Sequence, residues 1–181
     1  FDPQKITEAD QQNPMHPFWN RALQSTLAPG STFKIITASS ALENIPNIAS
    51  YHFTCTGATR VMDQTIHDYK MAQHGSLTLE KAFTVSCNNA FAQCALKLGD
   101  AALRKTAEDF GFNDNFLFRD FVVENSVYPT TNRNLVQIAW SGAGQSQIGA
   151  TPLHMCMVAS AIANDGVMME PRLLTQVKSP A

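Results

Sequence analysis

Apolar positions recur at helical spacing in several stretches of the chain, each with its own start and stop signals. Phe33, Ile36 and Leu42 follow a Pro-Gly pair and predict a helix from about Ser31, which Pro46 stops by Asn44. Thr78, with Glu80 close behind it, caps a short helix after Gly75. Phe91, Cys94, Ala95 and Leu98 predict another, closed by Gly99; Asp100 then caps a further one that stops at Gly111. Thr151 and Pro152 open the last clear helix, and Gly166 follows its end. Residues 50–56 and 60–66 have strand-like composition around a glycine turn and predict a small hairpin or lobe. Residues 1–30 hold four prolines and little periodicity, so they read mostly as loop, and residues 113–135 are irregular. Helix dominates this pattern; strands are short and scattered.

Composition adds limits. A chain of 181 residues, 44% hydrophobic and 15% charged, is an ordinary globular domain with a sizeable core and room for a small annex. The formal charge of −2 and the lack of a basic stripe exclude nucleic acid as an expected partner. No apolar run approaches a membrane span, and no signal peptide opens the chain, so the piece itself is expected to be soluble. The polar opening "FDPQKITEADQQNP" and the uncapped ending "LLTQVKSPA" predict an excised piece of a larger protein.

Cys55, Cys87, Cys94 and Cys156 form no CxxC pair and match no zinc spacing. Cys94 and Cys156, at helical positions, read as buried small apolar residues. His52, His67 and Cys55 are too irregularly spaced for a metal site, and no metal or cofactor is expected. His74 reads as a turn histidine. Met155, Met157, Met168 and Met169 read as helix core and its flank. Phe110, Phe112, Phe116, Phe118 and Phe121 read as packing, or as an aromatic rim to a peptide cleft.

The stretch "LAPGSTFKIITASSALE" places Ser31 and Lys34 one helical turn apart, with Cβ atoms roughly 5–6 Å from each other. Ser31 is then either an N-cap or a nucleophile whose base is Lys34. A lysine can accept a proton at neutral pH only if its pKa falls, and burial beside Phe33 and the positive end of a helix would both lower it. The same turn offers the Ser31 N–H to an oxyanion. In "VSCNNAF", Ser86 and Asn88 lie two apart at a helix break, so a hydroxyl and an amide could converge on one pocket; the alternative is a turn joining two helices.

Ser-x-x-Lys followed by Ser-x-Asn after a helix is the order found in penicillin-binding proteins and class A β-lactamases. "NRALQSTLAPGSTFKIITASSALE" closely resembles the active-serine segment of class B penicillin-binding proteins. "HGSLTLEKAFTVSCNNAFAQCALKLG" resembles their second-motif region, and "GAGQSQIGATPLHMCMVASAIANDGVMMEPRLL" their later helix. The resemblance implies that Ser31 is the acylated nucleophile and Lys34 its general base, with Ser86 relaying a proton and Asn88 holding the substrate amide. It implies D,D-transpeptidase activity on peptidoglycan stem peptides, with β-lactam antibiotics trapped on Ser31. It places the parent on the outer face of the bacterial cytoplasmic membrane, held by a single span and serving a cell-wall synthesis complex.

The family's third motif, Lys-Thr/Ser-Gly, is absent: "VKSPA" has Pro180 where Gly belongs. The family's opening strands, which precede the serine segment, are absent as well. The expected fold is therefore mainly α: the helical part of the α+β transpeptidase fold, with short strands and most of the central sheet missing. One partial transpeptidase domain spans 1–181, with a loop-rich lead-in over 1–30 and a small strand/loop insertion over 47–74. Loss of the strand that supplies the second oxyanion donor costs about 100- to 1000-fold in rate, which makes the piece a weak or inactive enzyme. It also uncovers one face of the Ser31 helix, inviting self-association. A β-lactam sensor or non-catalytic structural module is the alternative. A β-lactamase would need a water-activating base that the segment around Glu124 does not supply.

Overall fold

The computed structural model describes residues 5–13, 18–131 and 133–176. In chain order the elements are α1 Glu8–Gln11, α2 Arg21–Gln24, α3 Lys34–Asn44, β1 Phe53–Cys55, β2 Ala58–Val61, β3 Gln64–His67, β4 Gly75–Leu77, α4 Leu79–Thr84, α5 Asn88–Asp109, α6 Leu135–Ser141 and α7 Pro152–Ala163. Thr78 and Thr151 cap α4 and α7 as their positions predict, each accepting a hydrogen bond from the N–H three residues on. α5 is two helices joined at Gly99, whose φ of 74° and ψ of 165° are not helical.

Three readings are corrected. The predicted hairpin between 50–56 and 60–66 does not form. β2 pairs with β3 around Met62 and Asp63, whereas β1 pairs with the distant β4, Phe53 opposite Leu77. The helix expected from Ser31 begins as a 3-10 turn, Gly30–Phe33, and becomes α-helical only at Lys34. Cys156 is exposed, because α7 turns His154, Met157, Val158 and Ala161 inward and leaves Cys156 on the opposite face. α6 lies at the edge of the stretch expected to be irregular. Met169 is also outside the core, at 66% exposure.

α5 is the axis of the fold. Ala90, Phe91, Ala92, Cys94 and Ala95 are buried in its first half, and the small side chains of Ala90, Ala92, Cys94 and Ala95 let α3 and α6 approach closely. At Gly142, just after α6, a Cβ would lie 2.2 Å from the Phe91 carbonyl oxygen, so only glycine fits. The principal core gathers on Phe33, packed edge-on to Phe112 at 5.5 Å and stacked on Tyr128 at 6.1 Å. Full burial of one such ring contributes about 1.5–3 kcal/mol. Polar atoms on the inner face of α3 are paired too: Thr37 Oγ1 donates to Gly142 O at 3.1 Å and Ser40 Oγ to Ala102 O at 3.4 Å. Phe116 stacks on Phe118 at 5.2 Å beside His154, whose Nε2 lies 2.7 Å from Phe110 O.

The outer face of α3 is less covered. Ile35, Ala38, Leu42, Leu79, Phe83 and Ile162 line an open apolar groove, with Leu42 62% exposed. No helix among the described residues is long and apolar enough to cross a membrane.

Candidate active site

The turn that presents Ser31 is fixed by two glycines. Gly30 adopts a φ of 55°, open to glycine at little cost, and donates its N–H to Gly144 O at 2.9 Å. A Cβ on Gly144 would sit 2.0 Å from Gly30 O. The segment after α6 thus lies directly against the start of the Ser31 turn. Ser31 is exposed at its head, with an N–H that has no acceptor within the turn. One turn on, Lys34 is 1% exposed.

Burial of a lysine demands partners for its ammonium, and Lys34 Nζ has three. It donates to Ser86 O at 2.7 Å, Ser86 Oγ at 3.0 Å and Asn88 Oδ1 at 2.8 Å, and it lies 5.3 Å from the centroid of the Phe91 ring. Burial lowers its pKa to about 8, partly opposed by the negative charge of Asp68. Among the described residues, no hydrogen bond joins Lys34 Nζ to the Ser31 hydroxyl.

Ser86 reaches Lys34 through its backbone. It adopts a φ of 54° between α4 and α5, and this left-handed residue turns both its carbonyl and its hydroxyl toward the amine. Cys87 then caps α5, accepting the Ala90 N–H on its sulfur at 3.3 Å, and Asn88 is the first helical residue. Asn88 Nδ2 donates to His67 O at 3.1 Å, so its amide is held from both ends. The convergence expected of Ser86 and Asn88 is present, on Lys34.

One residue escaped the sequence reading. Asp68, buried, accepts hydrogen bonds from Cys55 Sγ at 2.9 Å, Cys87 Sγ at 3.1 Å and Asn89 Nδ2 at 2.9 Å, and from the Asn88 N–H. Burial pushes its carboxyl up, and these donors outweigh burial to hold it below the usual carboxylate range. Asp68 thereby clamps the start of α5, the turn from which Ser86 and Asn88 converge on Lys34. His74 Nδ1 lies 3.6 Å from the same carboxylate. Cys55 meets this group and not His52, whose ring lies against Ser50 O at 3.1 Å. The segment "VKSPA" lies outside the described residues.

The penicillin binding protein transpeptidase domain family matches residues 1–180. The peptidoglycan D,D-transpeptidase PbpA of Mycolicibacterium smegmatis is 33% identical over 93% of this chain and 35% of its own length. Stage V sporulation protein D of Bacillus subtilis is 31% identical over 99% of this chain and 28% of its own. Among solved structures, the penicillin G acyl-enzyme complex of penicillin-binding protein A from M. tuberculosis superposes with a TM-score of 0.82. It shares 30% identity over 91% of this chain and 38% of that one. The D,D-transpeptidase domain of a peptidoglycan glycosyltransferase from Eggerthella lenta superposes at 0.83, with 34% identity over 91% of this chain and 43% of that one. The chain thus spans about a third of the length of the curated relatives it matches first. It belongs to the penicillin-binding protein transpeptidase family.

Proposed function

We propose that this chain carries the acyl-serine chemistry of a peptidoglycan D,D-transpeptidase, with Ser31 as nucleophile, Lys34 as general base, and Ser86 and Asn88 completing the site. The observation that carries the reading is the buried Lys34 amine, bonded to both the hydroxyl of Ser86 and the amide of Asn88. With a pKa of about 8, roughly one Lys34 in ten is neutral at pH 7 and can accept a proton. Ser31 Oγ bonds to the penultimate D-Ala carbonyl carbon of a stem peptide while its proton passes to Lys34 Nζ. As the C–N bond breaks, the proton moves through Ser86 Oγ to the departing D-Ala amine. An amine from a neighbouring stem then takes the acyl group and releases Ser31. A β-lactam enters by the same attack, but its opened ring keeps the leaving amine tethered, so the ester persists. The first-turn N–H of Ser31 serves as one oxyanion donor.

In this reading the parent works on the outer face of the cytoplasmic membrane within a cell-wall synthesis complex. The described residues form two two-stranded sheets, and neither covers the apolar groove along α3. A second reading, a non-catalytic module, draws on the absence of a Ser31–Lys34 hydrogen bond, since every donor of the ammonium is engaged elsewhere. Release of D-Ala from a peptide ending in D-Ala-D-Ala separates the two. The transpeptidase reading expects release that disappears in Ser31→Ala; absence of release from the intact parent protein overturns it.

A further inference from the structure

Arg133 stands just ahead of Asn134, the cap of α6, and its side chain is only 1% exposed. A guanidinium taken this far out of water destabilises the fold unless its donors are matched. Here the two ends of its fork are matched by different parts of the chain. Nη2 donates to Gln137 O and Ser146 O, each at 2.9 Å, and so ties α6 to the loop that follows it. Nη1 donates to Tyr128 Oη at 3.1 Å and lies 3.5 Å from Asp100 Oδ1. We propose that Arg133 is a positioning residue for the nucleophile, holding the turn that presents Ser31 and thereby setting how fast Ser31 is acylated. The proposal rests on Ser31 being the nucleophile.

Two short routes lead from the guanidinium to Ser31. The first runs through backbone. Gly144, Ser146 and Gln147 have φ values of 72°, 64° and 69°, and residues with side chains hold such a conformation only where their surroundings impose it. The bond from Arg133 to Ser146 O pins this run. Two residues before Ser146, Gly144 O accepts the Gly30 N–H, immediately ahead of Ser31.

The second route is aromatic. The guanidinium lies 5.3 Å from the centroid of the Tyr128 ring, and that ring stacks on Phe33 at 6.1 Å, between Ser31 and Lys34 in the chain. Burial pushes the Tyr128 hydroxyl up to about 12, so it stays a neutral phenol. It accepts from Arg133 and donates to Asp100 Oδ1 at 3.1 Å, just after the Gly99 break in α5. Asp100 also pairs with Arg104. A planar fork serves partners on two sides at once, which the compact ammonium of a lysine does not reproduce.

Arg133 makes no hydrogen bond to Ser31 or Lys34 among the described residues, so it acts on geometry and leaves the base alone. A misplacement of about 1 Å in a reacting group costs about 100-fold in rate.

The test is acylation of the intact parent protein by a fluorescent penicillin at pH 6 to 10, wild type beside Arg133→Lys and Arg133→Met. Varying the drug concentration separates binding from the acylation step. The expected result is an acylation rate constant lower by about 10- to 100-fold in both variants, with drug binding little changed and the pH midpoint still near 8. Lysine balances Asp100 and should recover thermal stability relative to methionine without recovering the rate, so the readouts do not depend on the methionine variant folding. Hydrogen exchange in the peptide spanning 27–34 should quicken in the variants while that spanning 88–96 does not. Rate recovery in Arg133→Lys, or a midpoint that climbs toward 10.5 as Lys34 gains water, would mark Arg133 as packing alone and overturn the proposal. A wild-type rate in the variants overturns it too. A wild type that takes no drug at Ser31 overturns the transpeptidase reading itself, and the proposal with it.

Discussion

Lys34 and Asn88 stand 54 positions apart in the chain and meet at 2.8 Å, Nζ to Oδ1. The contact joins the helix that follows Ser31 to the helix that follows Ser86, and the lysine responsible is 1% exposed. The hydrogen bonds to two polar side chains and a carbonyl hold the ammonium in place, while burial lowers its pKa to about 8 and makes the proton easier to lose. That is the property a general base requires.

Replacing Lys34 separates this role from packing. Lys34→Ala should slow acylation of Ser31 by a fluorescent penicillin about 100- to 10,000-fold, the usual contribution of a positioned base. Lys34→Arg restores charge and bulk but keeps its proton, so it should not recover the rate. Recovery in the arginine variant would assign Lys34 a purely structural role.

The pH profile has a defined sign. Lys34 titrates at about 8 in the folded chain against 10.5 for an ordinary lysine. The acylation rate should therefore climb about tenfold per pH unit below 8 and level off above it. Between about 8 and 10.5 the unfolded chain binds the extra proton, so this group's contribution to stability rises with pH across that window. Its destabilising effect is fully present below about pH 8. Acylation rates measured from pH 6 to 10, with thermal melts at the same points, check both slopes.

Gly144→Ala tests the seat of the Ser31 turn. The new Cβ would lie 2.0 Å from Gly30 O, at a residue whose φ is +72°. Backbone must move, so the variant should lose about 1–3 kcal/mol of stability and acylate more slowly than its residual folding explains. Chemical denaturation beside acylation kinetics would show it; an unchanged midpoint would mean the turn is held elsewhere.

Asp68→Asn should destabilise the chain by about 1–3 kcal/mol, because the amide offers one acceptor where the carboxylate satisfies four donors. Urea denaturation measures it. The midpoint should fall at constant slope.

How much of this was legible depended on how local each cause is. Thr78, Thr151 with Pro152, and Gly99 act on their own neighbours, and their helices formed where they indicate. α6 also carried a local signal, the capping box of Asn134 and Gln137, but seven residues give too little periodicity to draw notice. The β2–β3 turn had none: Met62 takes a φ of 54° without the Asn-Gly or Asp-Gly that marks such turns. The glycine at position 57 drew the hairpin to the wrong place. Lys34, Ser86 and Asn88 were legible as a constellation because their order along the chain is itself a pattern. Asp68 was not, since its partners come from both sides of it and no spacing rule joins them. Its role exists only once β1, β4 and α5 are assembled.

The most direct measurement is the intact mass of the chain after incubation with penicillin, beside Ser31→Ala. The account predicts a persistent adduct of one drug per chain that is absent from the variant. An adduct that survives in Ser31→Ala, or none on demonstrably folded chain, would contradict the claim that Ser31, Lys34, Ser86 and Asn88 together form a working acylation site.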